Sequence, residues 1–178
     1  MKYLIHVRWL LPAVLIGYVA WQALFASSTL TAETDFQVRA QYFDVLLPAG
    51  RVERTQAGIA LESEPVYIDV RLPVRAKTAE LEVVATAGST PFKLGVQTGQ
   101  DFAMALSEAP AEATAQGTVY RYRATDFPYL RAGHKLRFII SSPSLMPGSI
   151  VITHAHVSLE RQAFSWVWLK ERLAFSYE

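Results

Sequence analysis

Hydrophobic positions fall into two regimes along the chain. From Trp9 to Ala32 no residue carries a charge, a run of 24. A lipid-spanning helix needs about 20 apolar residues, so this stretch predicts one N-terminal transmembrane helix. Pro12 and Gly17 are tolerated in such a helix, and Trp9 and Trp21 suit its interfaces. Beyond residue 33 the apolar period drops from a continuous run to two, the signature of half-buried strands.

The alternation predicts strands at Gly58–Ser63, Val66–Leu72, Thr78–Ala87, Phe92–Thr98, Phe102–Leu106, Thr118–Thr125, His134–Ser141 and Ser149–Glu160, with another inside Phe36–Leu47. Residues 107–117 read as a polar loop rich in small residues, and 27–34 as a short juxtamembrane linker. About eight strands this short, separated by turn signals, point to an all-β, antiparallel β-sandwich. Ile68, Val70, Leu81, Val83, Leu94, Leu136, Phe138 and Ile140 are its predicted core. The chain divides into an anchor and start of a linker at 1–32, a sandwich at 33–160 and an aromatic tail at 161–178.

Charge sets the topology. Lys2 and Arg8 precede the apolar run, and Glu33 and Asp35 follow it. The positive-inside rule then puts the N-terminus in the cytoplasm and the domain in the periplasm or outside the cell. A cleaved signal peptide, with Ala26-Ser27-Ser28 as the cleavage region, is the competing reading. It exports the domain all the same. The run is long for a signal, which favours a retained single-pass anchor. Between residues 33 and 160 there are 12 Lys+Arg against 14 Asp+Glu, with the signs interspersed. A nucleic-acid binder concentrates its cations, so nucleic acid is not an expected partner. Cysteine is absent, which excludes disulfides and thiolate metal sites.

The succession Glu64-Pro-Val-Tyr-Ile-Asp-Val-Arg71, Lys93-Leu-Gly-Val96 and Lys135-Leu-Arg-Phe-Ile-Ile-Ser-Ser-Pro-Ser-Leu145 resembles jelly-roll domains of the galactose-binding and carbohydrate-binding-module type. It is also similar to bacterial proteins in which one membrane helix precedes such a domain. The likeness covers residues 36–160 and rests on strand order and on the Ser-Pro-x-Leu ending. It implies glycan or envelope binding without catalysis, through exposed aromatic rings. All four tryptophans (Trp9, Trp21, Trp166 and Trp168) lie outside that region.

Site candidates follow from residue type. Tyr120 and Tyr122 share one face of a strand and Arg121 and Arg123 the other. If exposed, the tyrosines would stack on sugar rings. If they line the core, the arginines face solvent. Tyr129 sits in a loop as a third ring. His154 and His156 share a strand face and are the weak metal candidates, while Glu62, Glu64 and Asp69 are the weak calcium candidates. In the tail, Trp166, Trp168, Lys170 and Arg172 suit contact with a membrane interface or a protein partner. No nucleophile elbow, Walker sequence or HExxH is present, so neither catalytic residues nor a cofactor are expected. The expected function is a membrane-anchored, non-catalytic binding module, first for envelope glycans and alternatively a protein-interaction subunit of an envelope assembly.

Overall fold

A computed structural model of the chain describes residues 2–37, 40–107, 111–127 and 129–163, without the side chains of 2–10, 23–25 and 107. One α-helix, a short 3-10 helix (Ala49–Arg51) and eleven strands are assigned among them, all strand pairs antiparallel: α1 (Lys2–Phe25), β1 (Ser28–Thr34), β2 (Val52–Thr55), β3 (Gly58–Leu61), β4 (Val66–Arg71), β5 (Ala76–Ala85), β6 (Lys93–Gln97), β7 (Met104–Ser107), β8 (Glu112–Thr114), β9 (Gly117–Thr125), β10 (Lys135–Ser141) and β11 (Val151–Arg161). They form two sheets, one ordered β2-β3-β11-β5-β9-β8 with β1 also on β11, the other β4-β10-β6-β7.

Period-two alternation places the core between the sheets. Leu81 and Val83 on β5, Val157 and Leu159 on β11, Ile68 and Val70 on β4, Leu94 on β6, and Leu136, Phe138 and Ile140 on β10 belong to one buried cluster. All eight core positions expected from the alternation are in it.

Four segments differ from the sequence expectation. Residues 28–34, expected as linker, are β1, which pairs with β11 from Ser28↔Arg161 to Thr34↔Ala155. Val52–Thr55 and Glu112–Thr114 are strands as well, β2 and β8. The described residues of the stretch Phe36–Leu47 form no continuous strand, only the isolated bridges Phe43↔Val70 and Leu47↔Tyr67. Turn chemistry explains this. The Thr34 hydroxyl accepts from the Phe36 amide and the Asp35 carboxylate from the Gln37 amide, both at 2.9 Å. Phe36 takes a positive φ of 60°. Such local side-chain bonds compete with a ladder.

Strand β11 carries the other departure. A register shift between Ile152 and His154 inserts an extra residue opposite β5. Bulges flip the phase of alternation. Ile150 and Ile152 are buried before the shift, and Ala155, Val157 and Leu159 after it. His154 and His156 therefore face outward and do not continue the face of the isoleucines.

Helix α1 stands apart from this core. Its side chains from 11 to 22 are all exposed. Among them Tyr18, Trp21 and Gln22 carry polar groups, and Gln22 Nε2 donates to Tyr18 Oη at 3.0 Å. Among the described residues, no helix is long and apolar enough to cross a membrane. Side chains are described for only part of α1.

Candidate functional site

Strand β4 has a free edge, and the irregular segment after β1 covers it. The Asp44 amide donates to the Asp69 carbonyl, the Arg71 amide to Tyr42, and Leu47 and Tyr67 exchange two backbone bonds. Between this cover, β2, β3 and the start of β10 lies a cleft of about 990 Å3. Its apolar side is built by Phe36, Phe43, Leu46 and Ile59. The two phenylalanine rings meet edge-on, with centroids 6.0 Å apart.

The polar side begins with a pair set by strand register. Asp69 on β4 stands directly opposite Arg137 on β10, on the sheet face turned away from the core. Both are buried. Arg137 donates from Nε to Oδ1 at 2.7 Å and from Nη2 to Oδ2 at 2.8 Å. Its guanidinium lies under the Tyr67 ring, 4.6 Å from the centroid. Arg131 adds a bond to Oδ2 at 3.1 Å. Burial pushes the Asp69 carboxyl above its ordinary range, opposed by Arg131 and Lys135. The bidentate pairing with Arg137 holds it as a carboxylate, since an ionised partner this close favours the charged form.

Asp44 forms the second node. It accepts from Lys135 and, at 3.4 Å, from Arg71. The Lys135 bond, working against burial, holds its carboxyl below the ordinary value. Arg54 on the wall across the cleft is exposed and has no ionic or hydrogen-bonding side-chain partner among the described residues. The lining thus sets four cations, Arg54, Arg131, Lys135 and Arg137, against two carboxylates, Asp44 and Asp69. An apolar wall beside surplus positive charge suits an anionic ligand with an apolar face.

The expected aromatic platform is not there. Tyr120 is 3% exposed and stacks on Phe92 with centroids 3.7 Å apart. Tyr122 is half-buried, meets Phe138 edge-on and donates to the Ala105 carbonyl at 3.3 Å. Burial raises both phenols. The two rings occupy the core face of β9, so Arg121 and Arg123 take the solvent face, where they bind Glu82, Glu112 and Glu160. Tyr129 is half-buried in the loop before β10. Trp166, Trp168, Lys170 and Arg172 lie outside the described residues.

The metal candidates do not converge. His154 approaches Glu33 at 3.5 Å, and among the described residues no group of three or more potential ligands could hold a metal ion. Of the calcium candidates, Asp69 is committed to arginines. Glu64 accepts from the Ser141 hydroxyl and the Ser142 amide at 2.8 and 2.6 Å.

Sequence reasoning missed Asp44, Arg54, Arg131, Lys135 and Arg137. One signal was present. Ile139 and Tyr67 are apolar or aromatic at outward positions of β10 and β4, as expected where an outer face is covered.

What fold and site define together is a two-sheet β protein with a charged cleft at one sheet edge. No protein-family model matches this chain, and no curated protein does. The chain is similar to a crystal structure of FLHE at 12% sequence identity and a TM-score of 0.39, over 77% of this chain and 98% of that one. A likeness of that size carries no argument about fold or function.

Proposed function

We propose that this chain is a membrane-anchored, non-catalytic binding module held outside the cytoplasm, with an acidic envelope glycan as the ligand of its cationic cleft. The observation that carries the reading is the excess of cations over carboxylates beside the apolar wall of Phe36, Phe43 and Ile59. Arginine forks match carboxylates and phosphates, and apolar walls take the flat face of a sugar ring. The order β3-β11-β5-β9 facing β4-β10-β6-β7 supports a jelly-roll reading of the sandwich. The apolar surface of α1, with Gln22 bonded to Tyr18 within the helix, supports a lipid-inserted anchor, because polar groups in lipid need internal partners. The basic flank of Lys2 and Arg8 supports the exported orientation.

A glycan array of neutral and uronic-acid-containing oligosaccharides, probed with the full chain in detergent, tests the ligand. Retention of acidic glycans, lost in the Arg131→Gln/Lys135→Gln double variant, is the expected result. Binding of neutral glycans alone, or of none, would refute the assignment.

A second reading, a protein-interaction subunit, draws on a different place. Phe102, Met104 and Leu106 are exposed on or beside β7, an edge strand that among the described residues pairs only with β6. Exposed apolar edges are templates for a partner strand.

A further inference from the structure

We propose that the pocket at the start of β1, beside the end of β11, binds the headgroup phosphate of an anionic lipid, through Lys77 and Arg161. This rests on α1 being a membrane anchor, and it adds a lipid site that the anchor itself does not require.

Position comes first. Strand β1 begins at Ser28, with two residues between it and the end of α1 at Phe25, and Ser28 pairs with Arg161 at the end of β11. The helix exit and the end of β11 are therefore neighbours. A pocket of about 310 Å3 opens there, lined by Ser27, Ser28, Thr29, Lys77, Glu160, Arg161 and Gln162. If α1 lies in the bilayer, this pocket lies at headgroup depth.

Chemistry comes second. The Arg161 Nε is buried and has no hydrogen-bond partner. An unmet buried donor is costly, so native structures rarely leave one without a ligand, water or ion. Lys77 is exposed, and its ammonium has no ionic or hydrogen-bonding partner among the described residues. The acid in the lining, Glu160, is engaged through both oxygens by Arg123 at 3.3 Å. Ser27, Ser28 and Thr29 line the same pocket. Two unpaired cations beside one neutralised carboxylate match a phosphodiester anion.

The test uses the full chain in nanodiscs of phosphatidylcholine, with or without phosphatidylglycerol. Amide hydrogen exchange is followed at 27–29 and 160–162. Protection at these amides is expected to rise in the anionic discs. It should fall about fivefold for each cation removed in Lys77→Gln and Arg161→Gln, a near-surface cation being worth about 1 kcal/mol. Lys77 is exposed, so its variant keeps the fold. Equal protection in both discs, or a Lys77→Gln chain that responds like the wild type, would overturn the lipid site and leave the anchor standing. Failure of the chain to incorporate at all would remove the anchor, and the lipid site with it. Inorganic phosphate restoring full protection in phosphatidylcholine discs would assign the pocket to a free anion and overturn the lipid source.

Discussion

The large sheet is closed at its two ends by the same device. Hairpin β2–β3 turns through Thr55-Gln-Ala-Gly58, and hairpin β8–β9 through Thr114-Ala-Gln-Gly117. In each, the threonine hydroxyl donates to the glycine carbonyl, at 3.0 and 2.9 Å. In each, the glycine holds a positive φ, 143° and 142°, and a Cβ there would lie 2.2 or 2.1 Å from a carbonyl oxygen of the next strand. The turns are nearly equivalent, yet the surroundings differ. Every residue of β3 is buried, and every residue of β8 is exposed. The first hairpin lies against the cleft, where the segment after β1 covers the edge of β4. The second lies beside β7, with Phe102, Met104 and Leu106 in solvent. Turn chemistry makes both hairpins, and the neighbouring cover decides which becomes core.

The largest expected difference between the two ends lies in the buried pair. Asp69→Ala leaves Arg137 buried without its carboxylate. Breaking a buried ion pair from one side costs about 3–5 kcal/mol, and urea unfolding should show a loss of that order. Met104→Ser, at the open end, removes a side chain that is 43% exposed and should stay within about 0.5 kcal/mol, as surface changes usually do. Equal losses would mean that the cleft side is not the better-ordered end.

The glycines test the equivalence itself. Gly58→Ala and Gly117→Ala each force a side chain into a left-handed backbone against a carbonyl. The strained conformation alone costs of order 1–3 kcal/mol. Similar losses in thermal melts are expected despite the unequal burial of the flanking strands. A tolerated Gly117→Ala beside a damaging Gly58→Ala would show that the second turn rearranges freely.

These hairpins also mark what was legible in the sequence. The two missed strands β2 and β8 are the outer arms of the same Thr-x-x-Gly turn, four and three residues long, too short for alternation to register. The turn was readable, because a glycine just before an apolar strand signals a hairpin. By contrast β4, β5, β6 and β10 were legible, since each buries one face and exposes or separately covers the other. Strand β1 was hidden because Ser28–Thr34 is an edge strand of mostly small polar residues, with three of its seven positions exposed. The outward face of His154 and His156 is set by a bulge, which a period-two pattern cannot announce. The cleft was hidden for a deeper reason. Asp69 and Arg137 are 68 residues apart, and only strand register joins them. Tyr120 and Tyr122 alternated as expected, but which face of β9 turned inward depended on Phe92 and Phe138.

Acid should act on the covered end first. In the folded chain the Lys135 bond holds the Asp44 carboxyl below its ordinary value of 3.8. The unfolded chain therefore takes up the proton at higher pH than the folded one. Stability from this group is fully present above the unfolded value and is lost as pH falls through the folded value. Melting temperature followed from about pH 5 to pH 2 should fall less steeply in Asp44→Asn than in the wild type. Parallel curves would show that Asp44 does not hold the cover in place.

The smallest effect is expected at the open end. Arg121 joins β8 to the sheet by bonding Glu112 at 2.7 Å and Glu82 at 2.8 Å. These glutamates raise the Arg121 guanidinium further above its already high range, which has no consequence near neutral pH. The Glu112 side chain is 63% exposed, so water and salt screen the pair. Exposed ion pairs contribute roughly 0.2–1 kcal/mol and weaken with ionic strength. Glu112→Gln should therefore lower stability by no more than about 1 kcal/mol at low salt, and the difference should vanish in molar salt. The register also limits the damage. Glu112, Ala113 and Thr114 still pair with Val119, Thr118 and Gly117, and the Thr114 hydroxyl still ties the turn. A loss comparable to that of Asp69→Ala would mean that charge, not the turn, holds the second hairpin, and the likeness between the two ends would stop at their geometry.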